Sequence, residues 1–222
     1  MSLRIVILGT SSGVPTKERG LSAIALLRKG EVILFDCGEG TQRQMVIAGI
    51  SLCRPTRIFV THLHGDHVTG IPGLLQSGAL LGRQHPLEIY GPPGIAEFVE
   101  TTKRVFNFRV EYPLKVVEFD AEGVVYEGAE YKVEALRVRH SRLEHAFAYK
   151  FEERPRPGKF DPRKAEELGV PRGPLWKKLQ LGEDIVLPNG RVVRSSEVVG
   201  PPRKGRCVVS VSYTHLTLPT TE

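Results

Sequence analysis

A layered α/β fold is what this sequence predicts, and three observations predict it. Short apolar runs of strand length are mixed with longer runs of helical character. Gly- and Pro-rich turns separate them. The chain, 222 residues with 41% hydrophobic and 25% charged side chains, has the length and composition to bury a substantial core. Its size suits one domain with an insertion, or two small domains.

The elements follow in order. Residues 4–8 (RIVIL) form a short apolar run that stops at Gly9 and read as a buried strand; residues 10–20, rich in Ser, Gly and Pro, read as a loop. Residues 22–27 and 31–35 read as two strands joined by a turn at Lys29-Gly30. A loop at 36–40 caps a helix over 41–48. A strand at 57–60 runs directly into residues 61–67, and a mostly apolar helix over 71–81 follows. Then come a strand at 87–90, a Gly-Pro-Pro-Gly turn at 91–94, a helix over 95–106, strands at 114–119 and 124–138, and a strand at 146–152. Residues 153–206 change character, being rich in Pro, Gly, Lys and Arg, with short helices at 162–168 and 174–179; this stretch reads as an inserted, protruding arm.

Charge follows the same division. Residues 137–206 hold 17 Lys and Arg against 9 Asp and Glu, whereas residues 1–136 hold 14 against 15. A concentrated basic block suits a polyanionic partner, because each phosphate contact releases condensed counterions. No apolar run approaches the roughly 20 residues of a membrane span. The N-terminus lacks a signal-peptide layout, so a cytosolic protein is expected. The cysteines, Cys37, Cys53 and Cys207, are odd in number and far apart, which argues against disulfides or cysteine–zinc sites and for small buried hydrophobes.

The chemistry concentrates in His62-Leu63-His64-Gly65-Asp66-His67 at the end of a predicted strand. Side chains two apart in extended backbone share a side, so His62 and His64 converge. Gly65 permits a sharp bend, and Asp66 and His67 then face a second ion near the first. Imidazole and carboxylate without thiolate suit zinc in an open site rather than a closed structural one. His140, after another strand, is a candidate third ligand, with His145 a competitor; His85, before Pro86, reads as surface.

These residues resemble a known family. The H-x-H-x-D-H run after a strand is similar to the signature of the metallo-β-lactamase superfamily, which implies an αββα sandwich. Residues 8–15 (LGTSSGVP), 35–42 (FDCGEGTQ), 61–75 (THLHGDHVTGIPGLL), 169–176 (GVPRGPLW) and 200–206 (GPPRKGR) resemble ribonuclease Z in sequence and order. The resemblance implies a zinc-dependent endoribonuclease that removes the 3′ trailer of precursor tRNA, leaving a tRNA 3′-hydroxyl and a trailer 5′-phosphate. It assigns His62, His64 and His140 to one zinc, and Asp66 and His67 to another. It makes Asp66 the proton acceptor and places Asp36 behind the ligand loops as their support. It further implies a homodimer whose arm clamps the tRNA body, with Lys177 and Lys178 as nucleic-acid contacts. The domain plan is then a catalytic core at 1–152, a basic arm at 153–200 and a return strand at 201–210.

The sequence departs from the family at Val211-Ser212-Tyr213-Thr214, where an Asp that bridges the metals is expected, and a last His ligand is expected further on. The expectation is therefore a sandwich incomplete at the C-terminus, a non-native tail at 211–222 in which His215 is no ligand, and weak activity of this chain alone. Two other readings stand beside the first: a hydrolase of small phosphodiesters or esters on the same fold, and a non-catalytic RNA-binding subunit.

Overall fold

The computed structural model describes residues 3–140 and 143–211. The expected tail, His215 included, lies outside the described residues apart from Val211. No helix among the described residues is long and apolar enough to cross a membrane.

The chain opens with β1 (Leu3–Gly9), β2 (Ala23–Arg28) and β3 (Glu31–Phe35), an antiparallel set. Lys29 and Gly30, at φ 47° and 89°, make the two-residue turn between β2 and β3. Two consecutive left-handed residues give a hairpin turn whose twist matches that of its strands. From β3 onward the pairing is parallel: α1 (Thr41–Ile47) leads to β4 (Pro55–Phe59), α2 (Gly65–Val68) and α3 (Gly70–Leu80) to β5 (Leu87–Gly91), and α4 (Ile95–Val105) to β6 (Leu114–Glu118). The result is a six-stranded sheet in the order β1-β2-β3-β4-β5-β6. β7 (Gly123–Glu127), β8 (Tyr131–Arg137), β9 (Phe147–Glu153) and β12 (Cys207–Ser210, reached after the elements below) form a second sheet in the order β12-β9-β8-β7.

Alternation along the parallel strands sorts their side chains onto two buried faces. Val32, Leu34, Ile58 and Val60 join Met45, Ile71, Leu75, Ile95 and Val99 in a core under the helices. Phe35 and Phe59 point the other way, where Tyr149 of β9 meets them at ring distances of 5.9 and 5.3 Å. The Tyr149 hydroxyl donates to Val60 O at 2.6 Å, satisfying a polar atom in an otherwise apolar layer. Helices, sheet and sheet therefore stack as expected for the sandwich.

Two compact units partition the described residues: 3–126, 133–140, 143–150 and 209–211 in one, 127–132 and 151–208 in the other. The second has its own core of Ala165, Val170, Leu179, Ile185, Leu187, Val193 and Val198. Its α5 (Pro162–Glu167) is started by Asp161, whose carboxylate accepts the N–H groups of Arg163 and Lys164, with Pro162 at the first helical position. α6 (Pro174–Gln180), β10 (Ile185–Val186), β11 (Val192–Val193) and α7 (Ser195–Val198) follow.

Some sequence expectations need correction. The single strand expected over 124–138 is two, because Gly128 N–H donates to Tyr131 O at 2.9 Å and turns the chain between β7 and β8. The short elements β10, β11 and α7 are too brief for periodicity to register. Of the three cysteines expected to be buried, only Cys37 is; Cys53 is half-buried, and Cys207, in the edge strand β12, is exposed.

Candidate metal centre

The centre lies at the carboxyl ends of parallel strands, where open α/β sheets leave a crevice. β3 ends at Phe35, and Asp36 then adopts φ 59°, a left-handed turn that Asp tolerates better than most residues. Its N–H donates to Phe59 O at 2.9 Å, which ties it to the end of β4. Asp36 is only 2% exposed, so its carboxylate needs partners inside the protein. Oδ1 accepts the Thr61 N–H at 2.8 Å; Oδ2 accepts the Thr61 hydroxyl at 3.0 Å and His67 Nδ1–H at 2.8 Å.

These bonds fix proton positions beyond Asp36 itself. The single Thr61 hydroxyl proton goes to Asp36, so the Thr61 oxygen, 2.9 Å from His62 Nδ1, accepts from that ring. His62 and His67 therefore both carry their proton on Nδ1 and present the lone pair of Nε2. One buried carboxylate thus sets the tautomer of two histidines, one directly and one through a hydroxyl.

His62 Nε2 lies 3.1 Å from His64 Nδ1, and His140 Nε2 lies 3.4 Å from the same atom. The ligand atoms of His62, His64 and His140 all fall within 4.8 Å of one another. The rings of His62 and His67 are 4.0 Å apart between centroids, and Asp66 Oδ2 is 3.5 Å from His67 Nε2. Asp66 also accepts the Gly13 N–H at 2.9 Å. His140, not His145, enters the cluster; Nδ1 of His145 is buried without a hydrogen-bond partner. His85 is exposed, as expected.

The local electrostatics favour the neutral imidazole at His62 and His140. Burial, followed by the neighbouring rings of His67, His140 and His64, pushes His62 down to about 3. Burial and the same crowding lower His140. His67 goes the other way: burial opposes its charged form, but the hydrogen bond and charge of Asp36, with Asp66, outweigh it. Asp66 is held below the usual carboxylate range because the Gly13 N–H and the charge of His67 outweigh its desolvation. An all-nitrogen set of converging imidazoles fits a borderline divalent cation such as zinc.

Backbone packing holds the two loops in register. Cys37 N–H donates to His67 O at 2.8 Å, and Gly70 N–H donates to Cys37 O at 2.9 Å. A Cβ at Gly38 would meet Asp66 O at 2.3 Å, and one at Gly70 would meet Gly38 O at 2.1 Å, so neither position has room for a side chain. The sequence reading gave no role to Thr61 or Gly13. A hydroxyl immediately before the first histidine was the only available signal for Thr61, and a backbone donor such as Gly13 leaves none. Lys177 and Lys178 lie exposed in the last turn of α6, in the second compact unit.

The sandwich with a histidine cluster at its strand ends defines a member of the metallo-beta-lactamase superfamily, whose family model matches residues 18–214. Ribonuclease Z of Salinibacter ruber is 46% identical over 217 residues, covering 96% of this chain and 67% of that protein. Ribonuclease Z of Methanosarcina mazei is 47% identical over 207 residues, covering 93% and 67%. The crystal structure of the short form of human tRNase Z superposes with a TM-score of 0.62 at 33% identity, over 67% of this chain and 64% of that one. The chain belongs to the ribonuclease Z family. It spans about two thirds of the length of these relatives.

Proposed function

We propose that this chain carries the catalytic centre of a metal-dependent endoribonuclease that removes the 3′ trailer of precursor tRNA, leaving a 3′-hydroxyl on the tRNA and a 5′-phosphate on the trailer. The observation that supports it most directly is the convergence of three imidazole ligand atoms within 4.8 Å, with the tautomer of His62 set from Asp36. Family membership supplies the substrate class.

His62, His64 and His140 would hold one zinc ion, and Asp66 and His67 a second. When bound, such cations supply Lewis-acid stabilisation of phosphoryl oxygens and make water acidic enough to attack near neutral pH. Asp66, beside His67 and facing the cluster, accepts a proton from the attacking water. Asp36 and Thr61 keep the imidazoles aimed. The basic block at 137–206, with 17 cationic against 9 anionic residues, supplies phosphate contacts, Lys177 and Lys178 among them. In the same reading the working form is a homodimer in the cytoplasm.

Metal content is the decisive measurement. The purified protein, equilibrated with zinc and analysed by inductively coupled plasma mass spectrometry, is expected to retain zinc, and His64→Ala to lose it. Cleavage of a 3′-extended tRNA beside a small phosphodiester separates RNA-directed from general hydrolysis. A metal-free protein that still binds tRNA overturns the reading in favour of a non-catalytic RNA-binding role.

A further inference from the structure

Asp66 is gripped from a direction that the histidine cluster does not account for. Its Oδ2 accepts the Gly13 N–H at 2.9 Å across 53 positions of sequence. Gly13 has φ 62°, and a Cβ built there meets nothing within 4 Å, so the residue opens on solvent while its amide faces the carboxylate. The loop that carries it is internally braced. Ser11 N–H donates to Gly20 O at 2.9 Å, the Ser11 hydroxyl donates to Val14 O at 2.6 Å, and Thr16 Oγ1 accepts the N–H groups of Glu18 and Arg19 at 3.3 and 3.0 Å. Its root is fixed against the same backbone as Asp66. A Cβ at Gly38 would lie 2.7 Å from Leu21 Cβ and 2.3 Å from Asp66 O, so both segments pack on one glycine.

A carboxylate on a short side chain is free to rotate about its last torsion unless donors fix it. Besides the backbone N–H of Asp66 itself, the donor here is a main-chain amide on a braced loop, and the oxygen that amide holds is the one 3.5 Å from His67 Nε2. We propose that the backbone N–H of Gly13 is a positioning donor for Asp66, which couples the order of the 11–20 loop to occupancy of the cation position at Asp66 and His67. The coupling rests on the metal reading above; the positioning does not. Linkage makes it reciprocal: a cation that needs Asp66 so oriented orders the loop, and an ordered loop raises affinity for that cation.

The test has two arms. In the metal-stripped protein, amide hydrogen exchange followed by NMR should show Gly13 protected by about tenfold or more over an unbonded loop amide. Asp66→Ala should abolish that protection while the Ser11 amide, bonded to Gly20, keeps its own. Equal exchange of Gly13 in both proteins overturns the positioning. In the second arm, Gly13 is replaced by glycolic acid, which deletes the N–H and keeps the glycine torsions; the protein assembled in the same way with glycine at position 13 is the control. Zinc titration should show affinity for the second equivalent falling about tenfold in the ester, the low end for loss of an outer partner of a ligand, with the first equivalent unchanged. An ester that binds the second equivalent as tightly as wild type overturns the coupling. Wild-type protein that takes no second equivalent, with Gly13 still protected by Asp66, overturns the two-cation reading and the coupling together and leaves the positioning intact.

Discussion

Oδ2 of Asp36 accepts Nδ1–H of His67 at 2.8 Å, with both groups almost sealed from solvent. This one contact joins the end of β3 to α2, the short helix that carries the last histidine of the run. Asp36→Ala removes the acceptor of His67 Nδ1–H and of the Thr61 N–H, and frees the Thr61 hydroxyl to turn toward His62 Nδ1. Leaving buried donors unpaired costs about 1–3 kcal/mol each before relaxation, so the variant is expected to lose several kcal/mol in urea denaturation. Because the tautomers of His62 and His67 are no longer fixed, zinc affinity is expected to fall about 10- to 100-fold in a chelator competition assay. Unchanged affinity would show that the rings are aimed by something other than Asp36.

Arg83 is 5% exposed and, among the described residues, pairs with no carboxylate. Its guanidinium instead donates to the carbonyls of Cys53, Pro55, His85 and Pro86 and stacks 4.9 Å over Tyr112. A planar fork can satisfy several carbonyls at once; an ammonium cannot copy that geometry. Arg83→Met is expected to cost about 3 kcal/mol or more in thermal or urea unfolding, and Arg83→Lys to recover only part of it. Equal stability of all three proteins would dispose of this account.

Glu153, 4% exposed, pairs with Arg206 through two hydrogen bonds, Nε to Oε2 at 2.7 Å and Nη2 to Oε1 at 2.6 Å. Glu153 N–H also donates to Arg206 O at 2.9 Å, so side chain and main chain close a loop of 53 positions at one point. A bidentate pair with one partner buried is among the stronger protein ion pairs. Glu153→Gln is expected to raise amide exchange and protease cleavage across residues 154–205. Identical protection in wild type and variant would place the closure elsewhere.

Burial raises Tyr112 to about 12 and Tyr149 well above its ordinary value. Both hydroxyls donate to backbone carbonyls, of Leu75 and Val60, which further requires the protonated form. The folded pKa lies above the unfolded one, so the unfolded state releases protons first as pH rises. Stability from these groups is therefore complete below about pH 10 and is lost as pH climbs toward 12. Absorbance titration at the phenolate band should show these two tyrosines ionising only on alkaline unfolding; normal titration of all six tyrosines in the folded protein would contradict it.

Local information carried much of the layered fold. The apolar runs ending at Gly9, Phe35 and Phe59 are strands, and the helices after Gly40, Gly70 and Gly94 begin within a residue or two of their expected starts. The failure at 124–138 is equally local: the apolar alternation of β7 and β8 runs on through Gly128, and a hydrogen bond, not a change of composition, marks the turn.

By itself the sequence marked the side chains with cation-ligating chemistry, because three histidines and an aspartate crowd into the six positions 62–67. The tertiary structure alone decided the rest. Residue spacing left His140 and His145 in competition and only the family resemblance favoured His140; folding of β8 and β9 brings its imidazole to 3.4 Å from His64. Folding also put the Thr61 hydroxyl between Asp36 and His62, and the Gly13 amide on Asp66. Hydrogen bonds between segments distant in sequence depend on distances of a few tenths of an ångström, and nothing in residue order specifies these until the core has closed around them.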